Sequence, residues 1–217
     1  METMKLYNGV EVPANGFGVY QVSKEDCKES VLTALKTGYR HIDTAQSYFN
    51  ESEVGEALKE SDVPRKEIFL TTKVWIDNYG EGKTYDSVVE SLKKLQTDYL
   101  DLILLHQPVG DYYAAYRDLE KLYEEGKVRA IGVSNFYPDR LVDLCMFAKI
   151  KPMVNQVELH PYYTQEKAIE TMKYYDVIPE AWAPLGGGRY NPFEDEMLKG
   201  IAAKYNKSVG QVILRWN

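Results

Sequence analysis

Polar and aromatic residues recur along the chain at nearly even intervals, each one directly after a short apolar run. In chain order these positions are Asp43, Lys73, His106, Ser134 with Asn135, Gln156 and Trp182. Neighbouring positions are separated by roughly the 30-residue length of one strand–helix unit. Because parallel strands place their carboxyl ends at the same edge of a sheet, this spacing predicts that the side chains meet at one rim.

Lys73 follows the apolar-rich run 68–72, so its ammonium is expected at the end of a buried strand. A buried ammonium requires a counter-charge, and Asp43 at the end of the neighbouring strand can supply a carboxylate. Such a pair has a plain structural interpretation, which is an ion pair that closes the rim of the sheet. It also has a chemical one, because the pair would hold a positive charge beside a reacting group.

Tyr48 comes shortly after Asp43 and is expected near this ion pair. The chain contains 18 tyrosines, so the residue type alone indicates nothing, and a packing role is the plain alternative. A neighbouring ammonium, however, favours tyrosinate and is expected to lower the phenol pKa from its usual value of about 10. The pattern therefore predicts that Tyr48 is a general acid that works near neutral pH.

Histidine is rare in this chain, and its three positions are His41, His106 and His160. His106 ends the apolar run 102–105 and is best placed to donate a hydrogen bond to a reacting oxygen. His41 precedes Asp43 by two residues and faces the same side of a strand, which is typical of a supporting core residue. No second ligand lies at zinc-binding spacing, so no metal site is predicted.

The segments that must position these residues alternate between short apolar runs and longer stretches of helical period. Strands are predicted at residues 16–20, 41–43, 68–74, 100–106, 128–134, 153–157 and 177–182. Helices are predicted at residues 23–37, 50–60, 85–95, 111–125, 138–148, 165–174, 193–205 and 208–216. Residues 6–12 are predicted to form a hairpin with a type I′ turn at Asn8-Gly9. The repeated strand–helix units predict an α/β fold, either an open doubly wound sheet or a (β/α)8 barrel.

Composition narrows the classes of function. The 217 residues carry 26 basic and 33 acidic side chains, a net charge of −7, which argues against nucleic acid or a membrane as the partner. No apolar run is long enough for a membrane-spanning helix. Cys27 and Cys145 form neither a disulfide framework nor a zinc motif, which suits the cytoplasm. No linker divides the chain, so residues 1–217 are predicted to be a single domain.

Three segments of the chain carry a further signal. They are residues 43–55 (DTAQSYFNESEVG), residues 129–136 (RAIGVSNF) and residues 155–161 (NQVELHP). In this order they closely resemble the signatures of the aldo-keto reductase family, and the resemblance extends over essentially the whole chain. It is greatest to the bacterial branch that contains diketogluconate and small-aldehyde reductases. The resemblance implies a (β/α)8 TIM barrel that reduces aldehydes or ketones with NADPH, with NADH also possible.

The resemblance also implies a role for each catalytic position. Tyr48 would protonate the forming alkoxide, and His106 would orient and polarise the carbonyl group. Lys73, held by Asp43, would tune the acidity of Tyr48. These roles agree with those expected from the residue types, namely an acid, its tuner, the partner of the tuner and a donor to the carbonyl oxygen.

The cofactor and substrate positions are implied in the same way. The residues that would contact the cofactor are Ser134, Asn135 and Gln156 at the nicotinamide carboxamide, Trp182 against the nicotinamide ring, and Pro184, Leu185 and Gly186 around the pyrophosphate. Tyr20 and Trp75 match positions that line the substrate pocket. Phe49 stands where many relatives have glycine, directly after the proposed acid, and would narrow the pocket or change the loop.

The resemblance ends before the family pattern does. After residues 211–217 relatives continue with an eighth strand, a loop that grips the adenosine 2′-phosphate, and a final helix. The sequence therefore predicts a TIM barrel that lacks its eighth strand and C-terminal segment, with an N-terminal β-hairpin. Weak NADPH binding is expected, together with open sheet edges that favour self-association in a family that is usually monomeric.

Two other functions stay open from the sequence. A catalytically impaired fragment, or a non-catalytic cofactor-binding or regulatory subunit of the same fold, would keep these motifs. A lyase that uses Lys73 as a Schiff-base nucleophile is disfavoured, because pairing with Asp43 would keep the amine charged. The motifs do not specify which aldehyde or ketone is the small-molecule substrate.

Overall fold

The computed structural model describes residues 2–217 and begins with an antiparallel hairpin. Its strands are β1 (Thr3–Lys5) and β2 (Glu11–Pro13). The hairpin is confirmed, but the predicted type I′ turn is wrong. That turn requires a positive φ at both Asn8 and Gly9, and only Gly9 has one, at 90°. The Asn8 side chain instead accepts a hydrogen bond from the Val10 N–H (3.1 Å) and donates one to the Arg129 carbonyl oxygen (3.0 Å).

Seven parallel strands and the helices between them form the rest of the fold. In chain order the elements are β3 (Phe17–Gly18), α1 (Lys24–Lys36), β4 (His41–Asp43), α2 (Glu51–Glu60), β5 (Phe69–Val74), α3 (Lys83–Lys94), β6 (Leu102–Leu105), α4 (Tyr112–Glu124), β7 (Ile131–Ser134), α5 (Pro138–Phe147), β8 (Val154–Glu158), α6 (Glu166–Tyr174), β9 (Ile178–Trp182), α7 (Glu196–Tyr205) and α8 (Val209–Trp216). The strand order in the sheet follows the chain order from β3 to β9 without reversal. A doubly wound sheet reverses its order at a switch point, so the sheet is of the barrel type.

The sheet curls, which brings strands that are not neighbours face to face. In a flat sheet β4 and β8 would be about 19 Å apart, because strand spacing is about 4.8 Å. Yet the side chains of Asp43 in β4 and Gln156 in β8 are hydrogen-bonded at 3.0 Å. Within residues 2–217, β3 and β9 each pair along one side only. The structure thus confirms the parallel α/β barrel architecture, with seven strands in the described part of the chain.

Three consecutive strands in the middle of the sheet are the most deeply buried. Every residue of β5, β6 and β7 is buried, since these strands face the barrel interior on one side and the helices on the other. Burial on both faces explains why β6 is a continuous apolar run rather than an alternating one. It also means that a polar residue in β5, such as Lys73, must find its partners inside the protein.

Local signals set the ends of the helices around this sheet. Ser23 caps α1 by accepting a hydrogen bond from the Asp26 N–H (3.2 Å), and Gly38 lies beyond its end with φ 105°. Ser208 and Gln211 form a capping box at the start of α8. No helix in the described residues has both the length and the apolar character needed to cross a membrane.

Candidate active site

The polar residues that recur along the sequence are brought together at the carboxyl edge of the curled sheet. Asp43, Ser134 and Trp182 are the last residues of β4, β7 and β9, Lys73 is the last residue but one of β5, and His106 follows β6 directly. Gln156 is the middle residue of β8. Their common location follows from the parallel direction of the strands, because every strand ends at the same rim. The predicted meeting of these side chains is therefore seen in the structure.

Lys73 is fully buried at the centre of this rim. Its Nζ donates to Asp43 Oδ1 (2.5 Å), to the Thr44 carbonyl oxygen (3.1 Å) and to the Tyr48 hydroxyl oxygen (3.3 Å). An ammonium has three N–H donors, so each of them has an acceptor. Burial acts to lower the pKa of Lys73, but Asp43 and Tyr48 together outweigh it and raise the pKa above its usual value. Lys73 is therefore held as a cation, which argues against a Schiff-base role.

Tyr48 ends a short 3-10 helix, Gln46–Tyr48, that follows β4. Burial is the largest influence on the pKa of Tyr48 and raises it, Asp43 raises it further, and Lys73 lowers it. The net pKa lies above the usual value, so the expected net lowering is wrong, although Lys73 acts in the expected direction. Desolvation of the phenolate outweighs the attraction of the ammonium. Tyr48 is therefore protonated at neutral pH, as a proton donor must be.

The His106 ring packs edge-on against the rings of Tyr48 and Trp75, with centroids 5.7 and 5.2 Å apart. Burial, followed by the charge of Lys73, lowers the pKa of His106 to about 4, so the imidazole is neutral at neutral pH. Its Nδ1 lies 3.3 Å from Ser47 Oγ. When Nδ1 accepts the hydroxyl hydrogen of Ser47, the ring proton resides on Nε2 and is available to a substrate oxygen. The contact of Ser47 with His106 was not predicted, because a serine by its residue type alone does not indicate such a role.

The residues that follow Tyr48 in the first signature fix the loop that carries it. Asn50 donates to the Val19 carbonyl oxygen (3.0 Å) and accepts from the Thr44 hydroxyl (2.8 Å). Glu51 is buried, and it accepts a hydrogen bond from the hydroxyl of Thr72 (2.7 Å), the residue before Lys73. The polar residues of this segment thus join the loop to Val19, which follows β3, and to β5. They hold the phenol of Tyr48 against the ammonium.

Aromatic side chains lie beside Tyr48 and His106. The Tyr20 ring lies 5.0 Å from the Tyr48 ring, and Trp75 packs on His106. Phe49 differs from both, because its ring is 73% exposed and stacks on none of these aromatic side chains. Its backbone has φ 59°, a left-handed conformation that glycine adopts most easily. The structure brings Tyr20 and Trp75 to the site and leaves Phe49 on the outside of the loop.

Next to this group lies a second set of hydrogen-bonded side chains. The Ser134 hydroxyl (2.8 Å) and the Asn135 backbone N–H (2.9 Å) both donate to the backbone carbonyl oxygen of Gln156. The Trp182 indole donates to Asn135 Oδ1 (2.9 Å). Asn135 has φ 64°, a conformation that asparagine tolerates better than most residues. The four residues expected to contact a nicotinamide are therefore in one connected group.

Glu180 extends this group into the barrel. The Gln156 amide nitrogen donates both to Asp43 Oδ2 (3.0 Å) and to Glu180 Oε1 (2.7 Å). Burial raises the pKa of Glu180, and the nearby His41 opposes that rise. His41 is buried, as predicted, and its Nε2 lies 2.9 Å from the Thr71 hydroxyl. Glu180 was not predicted as a site residue, although its spacing of two from Trp182 indicates the same inward face.

The loop after β9 folds into successive tight turns. After Ala183 it contains Pro184, Leu185 and Gly186 and continues through Gly187 and Gly188. The three glycines have φ values of 89°, 56° and 74°. A Cβ on Gly186 would lie 3.0 Å from the Tyr190 carbonyl oxygen, which is closer than most Cβ atoms come to a neighbouring atom. A loop of this kind can direct backbone N–H groups at a phosphate oxygen.

Known proteins with similar sequences include enzymes named as reductases of small aldehydes. The Aldo/keto reductase family model matches residues 14–217. A glyoxal reductase of Bacillus subtilis is 50% identical over 218 residues, which cover 100% of this chain and 78% of the relative. A methylglyoxal reductase of Escherichia coli, DkgA, is 38% identical over 217 residues, which cover 99% of this chain and 78% of the relative.

Solved structures of this family superpose closely on the chain. An aldo/keto reductase from Brucella melitensis has a TM-score of 0.95 at 44% identity, with 99% of this chain and 83% of that one covered. An aldo-keto reductase from Bombyx mori, solved in complex with NADP, has a TM-score of 0.94 at 32% identity, with 99% of this chain and 79% of that one covered. With the barrel and the rim described above, these matches show that the chain belongs to the bacterial branch of the aldo/keto reductase family.

Proposed function

We propose that this chain reduces aldehydes and ketones to the corresponding alcohols with NADPH, and that its rim residues perform the acid–base chemistry. The observation that carries this proposal is the contact of a protonated phenol, Tyr48, with a buried ammonium, Lys73, which Asp43 holds in place. The named carbonyl reductases among its relatives support the same reaction. When bound, NADPH supplies the hydride that reduces the carbonyl carbon.

Tyr48 is the proton donor of the proposed reaction. Its hydroxyl proton passes to the alkoxide oxygen, which is a much stronger base than the phenolate left behind. Lys73 stabilises that phenolate, because its Nζ already lies 3.3 Å from the same oxygen. Asp43 keeps Lys73 charged through the 2.5 Å ion pair. The three side chains thus act as an acid, its stabilising cation and the anchor of that cation.

His106 binds the carbonyl oxygen in this proposal. Its pKa of about 4 makes it a neutral imidazole at neutral pH, and in the tautomer whose Nδ1 accepts from Ser47 the ring proton is on Nε2. A neutral donor polarises the carbonyl group without adding a second positive charge beside Lys73.

The neighbouring group of side chains fits NADPH. Ser134, Asn135 and Gln156 offer hydroxyl and amide groups suited to a carboxamide, and the flat indole of Trp182 offers a stacking surface. We assign the turn of Pro184, Leu185 and Gly186 to the pyrophosphate, because Gly186 leaves room where any Cβ would approach the backbone.

The substrate in this proposal is a small aldehyde or ketone. Tyr20 and Trp75 form aromatic walls around the acid and the histidine, which suits a compact substrate. The relatives named glyoxal reductase and methylglyoxal reductase point to short α-oxoaldehydes as the first compounds to test. Phe49, exposed on the loop after Tyr48, is assigned to the outer edge of the pocket.

The setting of the reaction is also proposed. The two cysteines, Cys27 and Cys145, are free thiols in the structure, and the chain is strongly acidic. Both features favour a cytoplasmic enzyme that acts on small molecules rather than on nucleic acid or membranes. The continuous sheet favours one domain that binds the cofactor and the substrate together.

The test is a pair of measurements on the purified chain and its Tyr48→Phe variant. Oxidation of NADPH is followed by absorbance with methylglyoxal as the substrate, and NADPH binding is measured by calorimetry. We expect the variant to bind NADPH normally and to lose roughly 10²–10⁴-fold in kcat. Undiminished activity in the variant would refute the role of Tyr48. NADPH binding with no turnover by the unmodified chain would instead assign it a cofactor-binding role.

A further inference from the structure

The three polar side chains proposed to contact the carboxamide have all of their hydrogen-bond donors engaged within the protein. Gln156 Nε2 has two hydrogens, and its two acceptors are Asp43 Oδ2 (3.0 Å) and Glu180 Oε1 (2.7 Å). Carboxylate oxygens only accept hydrogen bonds, so the amide nitrogen must face them. The side-chain amide oxygen of Gln156 therefore faces away from both carboxylates.

Asn135 and Ser134 show the same pattern. Asn135 Nδ2 donates to the His106 carbonyl oxygen (3.1 Å) and to Ser134 Oγ (3.1 Å). Ser134 Oγ donates its one hydrogen to the backbone carbonyl oxygen of Gln156 (2.8 Å). What this group retains for a ligand is lone pairs on the amide and hydroxyl oxygens. The site is thus built to accept hydrogen bonds rather than to donate them.

Glu180 is a half-buried acid in β9 whose carboxylate lies against the Gln156 amide. It lies directly opposite Gln156 in the register of β8 and β9, and within residues 2–217 it forms no ion pair shorter than 4.0 Å. Removing a carboxyl group even partly from water is unfavourable unless the group is hydrogen-bonded. In the described residues the side-chain hydrogen bond of Glu180 is the one that it accepts from Gln156.

We propose that Glu180 is a positioning residue that holds the Gln156 amide with its oxygen toward the cofactor, so that the site selects a nicotinamide by the N–H donors of its carboxamide. This inference rests on the proposed function, because it assumes that the nicotinamide binds beside Ser134, Asn135 and Gln156. Asp43 alone engages one hydrogen of the Gln156 amide. Without an acceptor at position 180, the second hydrogen is free to turn to a ligand carbonyl.

The selection can be measured with a matched pair of cofactors. One is NADP⁺, and the other is its 3-acetylpyridine analogue, in which a methyl group replaces the carboxamide nitrogen while the carbonyl remains. Loss of a hydrogen bond to the protein is expected to weaken binding of the analogue by about tenfold. The ratio of the two dissociation constants therefore reports whether the site accepts a hydrogen bond from the carboxamide N–H.

Two variants of the full chain separate positioning from a structural role. Glu180→Gln keeps a carbonyl oxygen that can accept from Gln156, so the ratio should stay near that of the unmodified chain. Glu180→Met has a similar volume and no such acceptor, so the ratio should fall toward one. Adenosine 2′,5′-bisphosphate, which lacks the nicotinamide, serves as the control and should bind all three proteins equally.

Each outcome of the titrations supports or overturns either the role of Glu180 or the proposed function. Equal binding of NADP⁺ and the analogue by the unmodified chain would overturn the inference and leave the proposed function intact, even if Glu180→Met failed to fold. An unchanged ratio in folded Glu180→Met would overturn it as well. No binding of NADP⁺ by the unmodified chain would refute the proposed function itself, and with it this inference.

Discussion

Replacing Lys73 by methionine tests the central contact of the site. The variant has nearly the same side-chain length but no charge, so Tyr48 loses the ammonium that lies 3.3 Å from its oxygen. At an effective dielectric constant of about 20, a full charge pair at that distance attracts by about 5 kcal/mol. With about half of the phenolate charge formed in the transition state, about 2.5 kcal/mol is lost, or roughly 10²-fold in rate.

The loss should appear in kcat for NADPH-dependent reduction of methylglyoxal, and the dissociation constant for NADPH should change little. Stability must be separated from rate, because Lys73→Met leaves the carboxylate of Asp43 unpaired at a largely buried position. Removing one partner of a buried pair costs about 3–5 kcal/mol of stability. The double variant Asp43→Asn with Lys73→Met removes both charges and is the matched control.

Both variants should therefore be slow, although the double variant should be the more stable of the two in denaturant unfolding. If folded Lys73→Met retains most of the kcat of the unmodified chain, the reasoning is refuted, because the ammonium then contributes nothing to proton transfer. If the double variant recovers full activity, the defect of the single variant comes from the unpaired carboxylate rather than from the loss of the cation.

Two further predictions concern His106. Its pKa of about 4 in the folded chain, compared with 6.5 when unfolded, means that the unfolded chain takes up a proton first as the pH falls. The stability associated with neutral His106 is present above pH 6.5 and is lost between 6.5 and 4, by about 3 kcal/mol. Urea unfolding of His106→Gln should lack that part of the pH dependence, and an identical pH dependence in the two proteins would contradict the prediction. Ser47→Ala should lower kcat/KM about fivefold, because the hydrogen bond to His106 is lost. Ser47→Thr keeps the hydroxyl group and should retain the rate. Equal rates in all three proteins would show that Ser47 does not orient the imidazole.

The order of the strands and helices and the location of the rim could be predicted because they depend on local patterns. The cap at Ser23, the glycine at position 38 and the capping box at Ser208 are signals within a few residues of the helix ends they set. Apolar runs such as 102–105 indicate strands buried on both faces. Once the strands are parallel, the rule that they share one carboxyl edge converts sequence spacing into spatial proximity.

The predictions of the turn type and of the Tyr48 pKa were wrong because contacts with distant parts of the fold outweighed the local pattern. Asn8-Gly9 is a strong type I′ signal, but the Asn8 side chain bonds to Arg129 across the fold and leaves only Gly9 with a positive φ. For Tyr48 the sign of the influence of Lys73 followed from charge alone. The net pKa did not, because desolvation of the phenol depends on how completely the barrel covers it.

The sequence by itself determined the alternating order of strands and helices, because periodicity is encoded residue by residue, and its three signature segments determined the family, the barrel and most of the side chains at the rim. The tertiary structure decided which of those groups carry protons and which way their amides point. Those properties depend on burial and on contacts between strands far apart in sequence, such as that of Gln156 with Asp43. Glu180 became part of the site for the same reason, since only the register of β8 and β9 places its carboxylate against the Gln156 amide.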